Sequence, residues 1–199
     1  MIPLERLFED RPSSAPGPRE PSFRMSTPQL GMLVLLASLS VLFVASLVGM
    51  LVIRFEAAAW PESQLPPGLI ASTALLVGLG IAVERGRRAI RDNRWQALVR
   101  CFRVAMGFAV VFLASQALNF RHLAHVDHGT LYGFSFDLLM GLHGLHVIGG
   151  LVPLAVVARR AARNEYSSSR DEGVRLTAQY WHFLGVVWLV LVAALWAVA

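Results

Sequence analysis

The sequence predicts an all-α membrane protein, an integral bundle of five transmembrane helices. Hydrophobic residues make up 55% of its 199 residues and charged residues only 16%, and the mean hydropathy is +0.54. These values exclude a disordered chain and an ordinary soluble domain. The apolar residues also gather into five runs, most of them near the ~20 residues that a helix needs to cross ~30 Å of hydrocarbon. Backbone groups inside a bilayer must satisfy one another, so each run is predicted to be helical.

The five runs cover residues 30–53, 69–83, 104–118, 138–158 and 176–198. The second and third are short, and we expect flanking residues such as Gly68, Glu84, Phe102 and Asn119 to complete them near the headgroups. Glu84 is also expected to pair with the adjacent arginines. The first run is too long for a signal peptide and follows a proline-rich segment, so it is predicted to remain in the mature protein. This organisation gives a Pro/Arg-rich cytoplasmic arm over 1–28 and a five-helix transmembrane domain over 29–199.

Arginine placement predicts the orientation of the bundle. All 18 basic residues are arginine, and the net charge is +5. Four precede the first run, seven lie between the second and third, and five follow the fourth, whereas only Arg54 and Arg121 fall on the other side. The positive-inside rule then predicts a cytoplasmic N-terminus and an outer C-terminus, in a bacterial inner membrane. Arg159 and Arg160 are expected to contact anionic lipid headgroups.

The same placement argues against nucleic acid as a partner, because these short segments form no basic face with interleaved aromatics. A single cysteine, Cys101, excludes an internal disulfide and any cysteine-based zinc or iron–sulfur cage. A cluster of histidine and aspartate residues follows the third run, at His122, His125, Asp127 and His128. Such side chains can bind zinc, but we interpret them as solvated loop residues.

Polar residues within the apolar runs are the candidates for function. His143 and His146 are three residues apart and so share a helix face. The surrounding glycines would let a neighbouring helix approach closely; they are Gly141, Gly144, Gly149 and Gly150. We therefore expect the fourth and fifth spans to pack together through the glycine face around Gly144. Gln116 and Asn119 are both expected to make interhelical hydrogen bonds.

The fifth span opens with aromatic residues and a third histidine, His182. His182 and His146 are expected at depths ~10 Å apart, which argues against a shared metal or haem. The histidines are therefore interpreted as hydrogen-bonded packing residues, with no catalytic, cofactor or metal role in this chain. Tyr180, Trp181, His182 and Trp188 are predicted lipid or subunit contacts, and plain interfacial anchoring of the aromatic rings remains an equal alternative.

Two motifs carry a resemblance to a known family. The sequence GLHGLHV at 141–147, followed by YWHF at 180–183 and VVW at 186–188, resembles subunit III of the haem–copper oxidases. LPPG at 65–68, before the second span, and Phe112, Gln116 and Leu123 add support. The resemblance runs from about residue 30 to the C-terminus and corresponds to the last five of the family's seven helices.

The resemblance implies a non-catalytic subunit of a terminal oxidase in aerobic respiration. Such a subunit holds no redox centre, flanks catalytic subunit I beside the other oxidase subunits, holds phospholipid between its helices and helps sustain proton uptake. Haem and copper would then lie in the partner catalytic subunits. Two acids common in the family are replaced here by Leu39 and Gly185, which argues against a direct proton-supporting role.

Three other functions stay open at the level of sequence. An accessory subunit of a nitric oxide reductase fits the same resemblance. An autonomous membrane cytochrome, binding haem through the histidines, is an alternative from a different class. A small transporter is a third, although the chain shows neither broken helices nor inverted repeats.

Overall fold

The computed structural model describes residues 25–56, 68–122 and 131–198, and the prediction of five membrane-spanning helices is confirmed within them. The helices are α1 (Thr27–Glu56), α2 (Gly68–Arg91), α3 (Trp95–His122), α4 (Leu131–Ala162) and α5 (Glu172–Val198). Each is long and apolar enough to cross a membrane. Residues 1–24 of the predicted arm lie outside the described residues, as do His125, Asp127 and His128 of the outer cluster, whose His122 is the last residue of α3.

Flanking residues complete the short apolar runs, as expected. Helix α2 begins at Gly68, and α3 includes both Phe102 and Asn119. Helices α4 and α5 extend further than their apolar runs, to Ala162 and back to Glu172. A helix continues past the hydrocarbon wherever its residues tolerate helical geometry, so apolar runs underestimate helix length.

Hydroxyl groups inside the spans bond to their own helices. Ser38, Ser40 and Ser46 in α1 donate to carbonyls four residues earlier, at 2.8 to 2.9 Å. Ser72 and Thr73 in α2 do the same, at 2.9 and 2.8 Å. This back-bonding satisfies a hydroxyl without a partner helix, which explains how α1 carries three serines and still faces mostly apolar surroundings.

The helices pack as a bundle around α4 and α5. Helix α5 contacts α1, α2 and α4, while α4 contacts α1, α3 and α5. Helices α2 and α3 are joined by a tight turn in which Asn93 has φ 55°, and they form the most extensive helix pair. Helix α1 touches only α4 and α5, and its buried residues are Leu39, Phe43 and Met50. Helix α1 is therefore the least enclosed of the five.

Contacts between chain segments gather the arginine-rich ends of the helices at one end of the bundle. The Ser26 hydroxyl, just before α1, hydrogen-bonds the Glu172 carboxylate at the start of α5. The Ser168 amide in the α4–α5 loop donates to Asn93 Oδ1 in the α2–α3 turn, at 2.9 Å. Arg54 lies in the last turn of α1, at the opposite end. Among the described residues, the arginine-bearing ends of α2 and α4 thus lie at one end of the bundle and Arg54 lies at the other.

Candidate functional site

The histidine pair of α4 lies on one helix face, as expected. Both rings contact Phe43 of α1, with centroids 6.3 Å away for His143 and 5.3 Å for His146. His146 Nδ1 lies 2.7 Å from the Leu142 carbonyl oxygen. Because a carbonyl only accepts, Nδ1 carries the proton. His146 is therefore a hydrogen-bonded packing residue.

His143 departs from the expectation that the histidines are hydrogen-bonded. Its side chain is 1% exposed and is surrounded by aromatic rings: Trp188 at 5.1 Å, Phe112 at 6.0 Å and Phe43. Neither ring nitrogen has a hydrogen-bond partner among the described residues. Helices α1, α3 and α5 all supply apolar rings here, so His143 serves as an aromatic core residue where four helices meet.

The close approach of α4 and α5 occurs at Gly150, one of the four glycines expected to permit it, and not at Gly144, on which the expected contact was centred. A Cβ at Gly150 would lie 2.8 Å from Tyr180 Cε1 and 3.1 Å from Trp181 Cζ2. A Cβ at Gly144 would meet no described atom within 4 Å, and one at Gly149 would meet only the Tyr180 hydroxyl, at 3.9 Å. The two helices pack together, but through the glycine that faces the aromatic pair.

Tyr180, Trp181 and Trp188 are core residues, which corrects their prediction as lipid or interface contacts. They are 7%, 1% and 1% exposed. The Tyr180 hydroxyl donates to the His146 carbonyl at 2.8 Å, and Trp188 Nε1 donates to Thr73 Oγ1 of α2 at 3.0 Å. Aromatic rings near a helix end resemble interfacial anchors in sequence, but here they fill the space between α2, α4 and α5.

His182 alone among these α5 residues is substantially exposed, with 48% of its side chain accessible. Its Nε2 lies 3.7 Å from Glu84 Oε2 of α2. Glu84 accepts two hydrogen bonds from Arg87, both at 2.8 Å, and one from Arg88 Nε at 3.0 Å. The pairing of Glu84 with neighbouring arginines is confirmed. Its proximity to His182 was not anticipated, although both residues lie inward from the arginine-bearing ends of their helices.

A polar cluster between α2 and α3 includes one of the two predicted amides. Asn119 Nδ2 lies 3.5 Å from Ser72 Oγ, which is 3.0 Å from Ser115 Oγ. Gly68 provides the space, since a Cβ there would collide with the Asn119 amide. The expected interhelical bond is confirmed for Asn119. Gln116 Nε2 is buried and has no partner among the described residues, so its prediction is not confirmed.

The remaining candidates lie at the arginine-bearing end. Arg159 and Arg160 occupy the last turn of α4, and both are exposed. Arg160 Nε is 3.9 Å from Glu165 Oε2. Within the described ranges, no three His, Cys, Asp or Glu residues are grouped closely enough to hold a metal ion. The described residues therefore provide packing surfaces between the helices and a charged end of the bundle.

Comparison with known proteins gives one consistent family. The sequence model described as "Cytochrome c oxidase subunit III" matches residues 25–198. The chain is 32% identical over 178 residues to "Cytochrome c oxidase subunit 3" of Synechocystis sp., covering 86% of this chain and 74% of that protein. It is 28% identical over 180 residues to the protein of the same name from Thermostichus vulcanus, covering 88% of each. The matched region contains all five helices and both histidine motifs.

Proposed function

The chain belongs to the cytochrome c oxidase subunit III family, and from this membership we infer that it is a non-catalytic membrane subunit of a haem–copper terminal oxidase. In this role it stabilises catalytic subunit I, contacts other oxidase subunits and retains phospholipid. Haem and copper belong to the partner catalytic subunits. The interior of the described bundle is mainly apolar, which suits a packing role.

One observation carries this proposal more than any other. The two family motifs meet inside the matched region, where the Tyr180 hydroxyl of the YWHF motif donates to the His146 carbonyl of the GLHGLHV motif. The motif residues thus stabilise the α4–α5 contact. A motif that serves internal packing supports a subunit whose task is assembly.

The part of α4 available to a partner subunit lies beside this contact. Gly149 is exposed and Gly144 partly so, and Leu145 and Ile148 between them are 63% and 53% exposed. Small residues on an exposed helix face permit close approach of another transmembrane helix. We assign Gly144 and Gly149 to contact with a neighbouring subunit, and His143 and His146 to shaping that face of α4 from within.

The proposed orientation places the N-terminus in the cytoplasm and the C-terminus outside, in a bacterial inner membrane. The joined helix ends carry Arg87, Arg88, Arg159 and Arg160 at one end of the bundle, which is the pattern the positive-inside rule requires. The relatives from Synechocystis sp. and Thermostichus vulcanus support a bacterial membrane. Arg159 and Arg160 then face cytoplasmic headgroups.

We further propose that this chain does not transfer protons itself. Leu39 lies buried in α1, where the family commonly has glutamate, and Gly185 in α5 replaces a common aspartate. The hydroxyls near Leu39 bond to their own helix and do not titrate near neutral pH. A proton route needs titratable groups in series, so support of the oxidase proceeds through packing and lipid.

The alternatives are not favoured by the comparisons. The similar proteins are named for cytochrome c oxidase, which does not support an accessory subunit of a nitric oxide reductase. The family match also does not support an autonomous cytochrome or a transporter.

The test is to purify the tagged full-length chain from its native membrane in mild detergent. Mass spectrometry and a visible spectrum are then recorded before and after the subunits are separated. We expect oxidase subunit I, haem and copper to copurify with the chain, and haem absorption to stay with subunit I on separation. A Soret band that follows this chain, or copurification without subunit I, would overturn the proposal.

A further inference from the structure

Polar side chains of α2 and α5 meet at two levels of the bundle. At the deeper level, Trp188 Nε1 donates to Thr73 Oγ1 at 3.0 Å, and Trp188 is 1% exposed. At the arginine-bearing end, His182 Nε2 lies 3.7 Å from Glu84 Oε2. The two levels are ~16 Å apart along α2 and ~9 Å apart along α5, at ~1.5 Å per residue. The first contact is therefore buried and fixed, whereas the second is open to water.

The imidazole ring of His182 lies over one turn of α2. Its Nδ1 and Cε1 are 3.8 and 3.9 Å from the position of a Cβ added at Gly80, and its Nε2 approaches Glu84, one turn further along the same helix. On α5 itself the nearest charged residue, Arg175, is two turns away, or ~10 Å along the helix. At 3.7 Å, Nε2 is just outside hydrogen-bond distance, and a small rotation of either side chain would close the gap.

The Glu84 carboxylate keeps acceptor capacity on the oxygen nearest to His182. Oε1 accepts from Arg87 Nη2 at 2.8 Å and from Arg88 Nε at 3.0 Å. Among the described residues, Oε2 accepts a hydrogen bond from Arg87 Nε alone, at 2.8 Å. A carboxylate oxygen has two lone pairs, so Oε2 can accept a second N–H. The His182 ring is placed to supply it.

The charges around His182 leave room for a positive imidazolium. Glu84 and Arg88 line the same groove as His182, and Arg87 is bonded to Glu84. Arg87 also interacts electrostatically with Asp171, just before α5, so two carboxylates balance the two guanidinium groups. Arg88 is 73% exposed, and salt screens the repulsion between such exposed charges. The described residues that line this groove all belong to α2 and α5, so neither α1 nor α4 adds a charge to it.

We propose that His182 and Glu84 form a pH-sensitive latch between α5 and α2 at the arginine-bearing end of the bundle. Protonation gives the imidazole a positive charge and a proton on both nitrogens, so that Nε2 donates a charge-assisted hydrogen bond to Oε2. Loss of the proton removes the charge, and the two groups relax to the wider separation. The buried Trp188–Thr73 hydrogen bond does not titrate near neutral pH and acts as the pivot.

The latch responds to pH without passing protons on. Imidazole changes its charge between pH ~5 and ~8, and His182, with 48% of its side chain accessible, takes its proton from water. The added attraction belongs to the protonated form, so it is present on the acid side of this range and is lost as the pH rises through it. Because α2 packs extensively on α3, closing the latch draws the α2–α3 pair toward α5. The latch is a property of the chain's own fold and holds whether or not the proposed function is correct.

The test is a double-mutant cycle on the full-length chain in detergent. His182→Gln and Glu84→Gln are measured alone and together by chemical denaturation. The cycle is run at about pH 5.5, where glutamate carboxylates stay ionised, and at about pH 8.5, beyond the range in which imidazole titrates. At the lower pH we expect a coupling of about two- to fivefold in the folding equilibrium constant, the size typical of exposed ion pairs. At the higher pH the coupling should vanish.

Two further variants serve as controls. Asp92 is an exposed acid near the same end of α2 that pairs with Arg94, so Asp92→Asn should show no coupling to His182. His182→Lys keeps its positive charge at both pH values and should make the coupling to Glu84 independent of pH. The proposal is overturned by a coupling that is absent at the lower pH, as large at the higher pH, equally strong with Asp92, or still pH-dependent in His182→Lys.

A distance measurement keeps the proposal testable if a double variant fails to fold. Spin labels are attached through Arg85→Cys on α2 and Gln179→Cys on α5, both at exposed positions, in a Cys101→Ser background. We expect the separation of the labels to shorten on acidification, and to stay constant when Glu84→Gln is added. A separation that does not respond to pH, or that responds equally with Glu84→Gln, would overturn the latch.

Discussion

The Tyr180 hydroxyl donates a hydrogen bond to the main-chain carbonyl of His146, with an oxygen–oxygen distance of 2.8 Å. That carbonyl belongs to an interior turn of α4, so the bond joins the backbone of one helix to a side chain of the next. Gly150 lies one turn further along and admits the Tyr180 ring. The α4–α5 contact therefore depends on the absence of a side chain at Gly150 and on the hydroxyl group of Tyr180.

Tyr180→Phe should weaken this contact modestly. The variant removes one hydrogen bond but keeps the ring beside Gly150, and interhelical bonds in membranes average ~0.6 kcal/mol. We expect a loss of about 0.5–1 kcal/mol in unfolding free energy, measured by chemical denaturation of the full-length chain in detergent. Tyr180→Leu, which also removes ring packing, should cost more. Equal stability of Tyr180→Phe and wild type would show that the bond contributes nothing.

Gly150→Leu should be considerably more damaging. Its side chain must displace the Tyr180 and Trp181 rings, since even a Cβ would lie 2.8 Å from Tyr180 Cε1. Overpacking of this kind costs about 1–3 kcal/mol or more. The measurement is thermal stability of the full-length chain in detergent. Gly144→Leu is the matched control and should leave the chain's own stability unchanged, because no described atom lies within 4 Å of its Cβ. If Gly144→Leu lowered the thermal stability more than Gly150→Leu did, the assigned contact would be refuted.

His143→Phe should leave stability unchanged or raise it. The ring already sits among Phe43, Phe112 and Trp188, and its two nitrogens have no partner among the described residues. Replacing a buried, unpartnered polar group by an apolar ring of similar shape is close to neutral or favourable. Thermal stability and retention of the subunit in the complex are the readouts. A loss above ~2 kcal/mol, the size of a lost buried hydrogen bond, would indicate a polar role for His143.

The five helices could be predicted from the sequence because each apolar run is close to the length that a bilayer demands. The residues of each helix that face the interior of the bundle could not be predicted in this way. Trp181 and Trp188 look like interfacial anchors in the sequence, and only the placement of α2 beside α5 shows that they are buried. The same holds for Gly150, which is one of four glycines within ten residues of α4. Gly150 differs from Gly144 only in lying opposite Tyr180 of α5, and the sequence does not show that position.

The polar residues illustrate the same limit. The Glu84 pairing with Arg87 and Arg88 was predictable, because residues three and four apart on a helix are neighbours. The approach of His182 to Glu84 was not, since it depends on the relative depth of two helices far apart in sequence. Gln116 and Asn119 have similar side chains near the same end of α3, yet only Asn119 reaches a partner on α2.

The central claim is that this chain supports its oxidase by packing and lipid retention, without carrying protons. The most direct measurement is oxygen consumption over many turnovers by the complex with this subunit deleted. We predict a near-normal initial rate followed by progressive inactivation or subunit loss, partly rescued by added phospholipid. An immediate fall in turnover with an acid-shifted pH profile, in a complex that stays intact, would instead place a proton route in this chain and contradict the account.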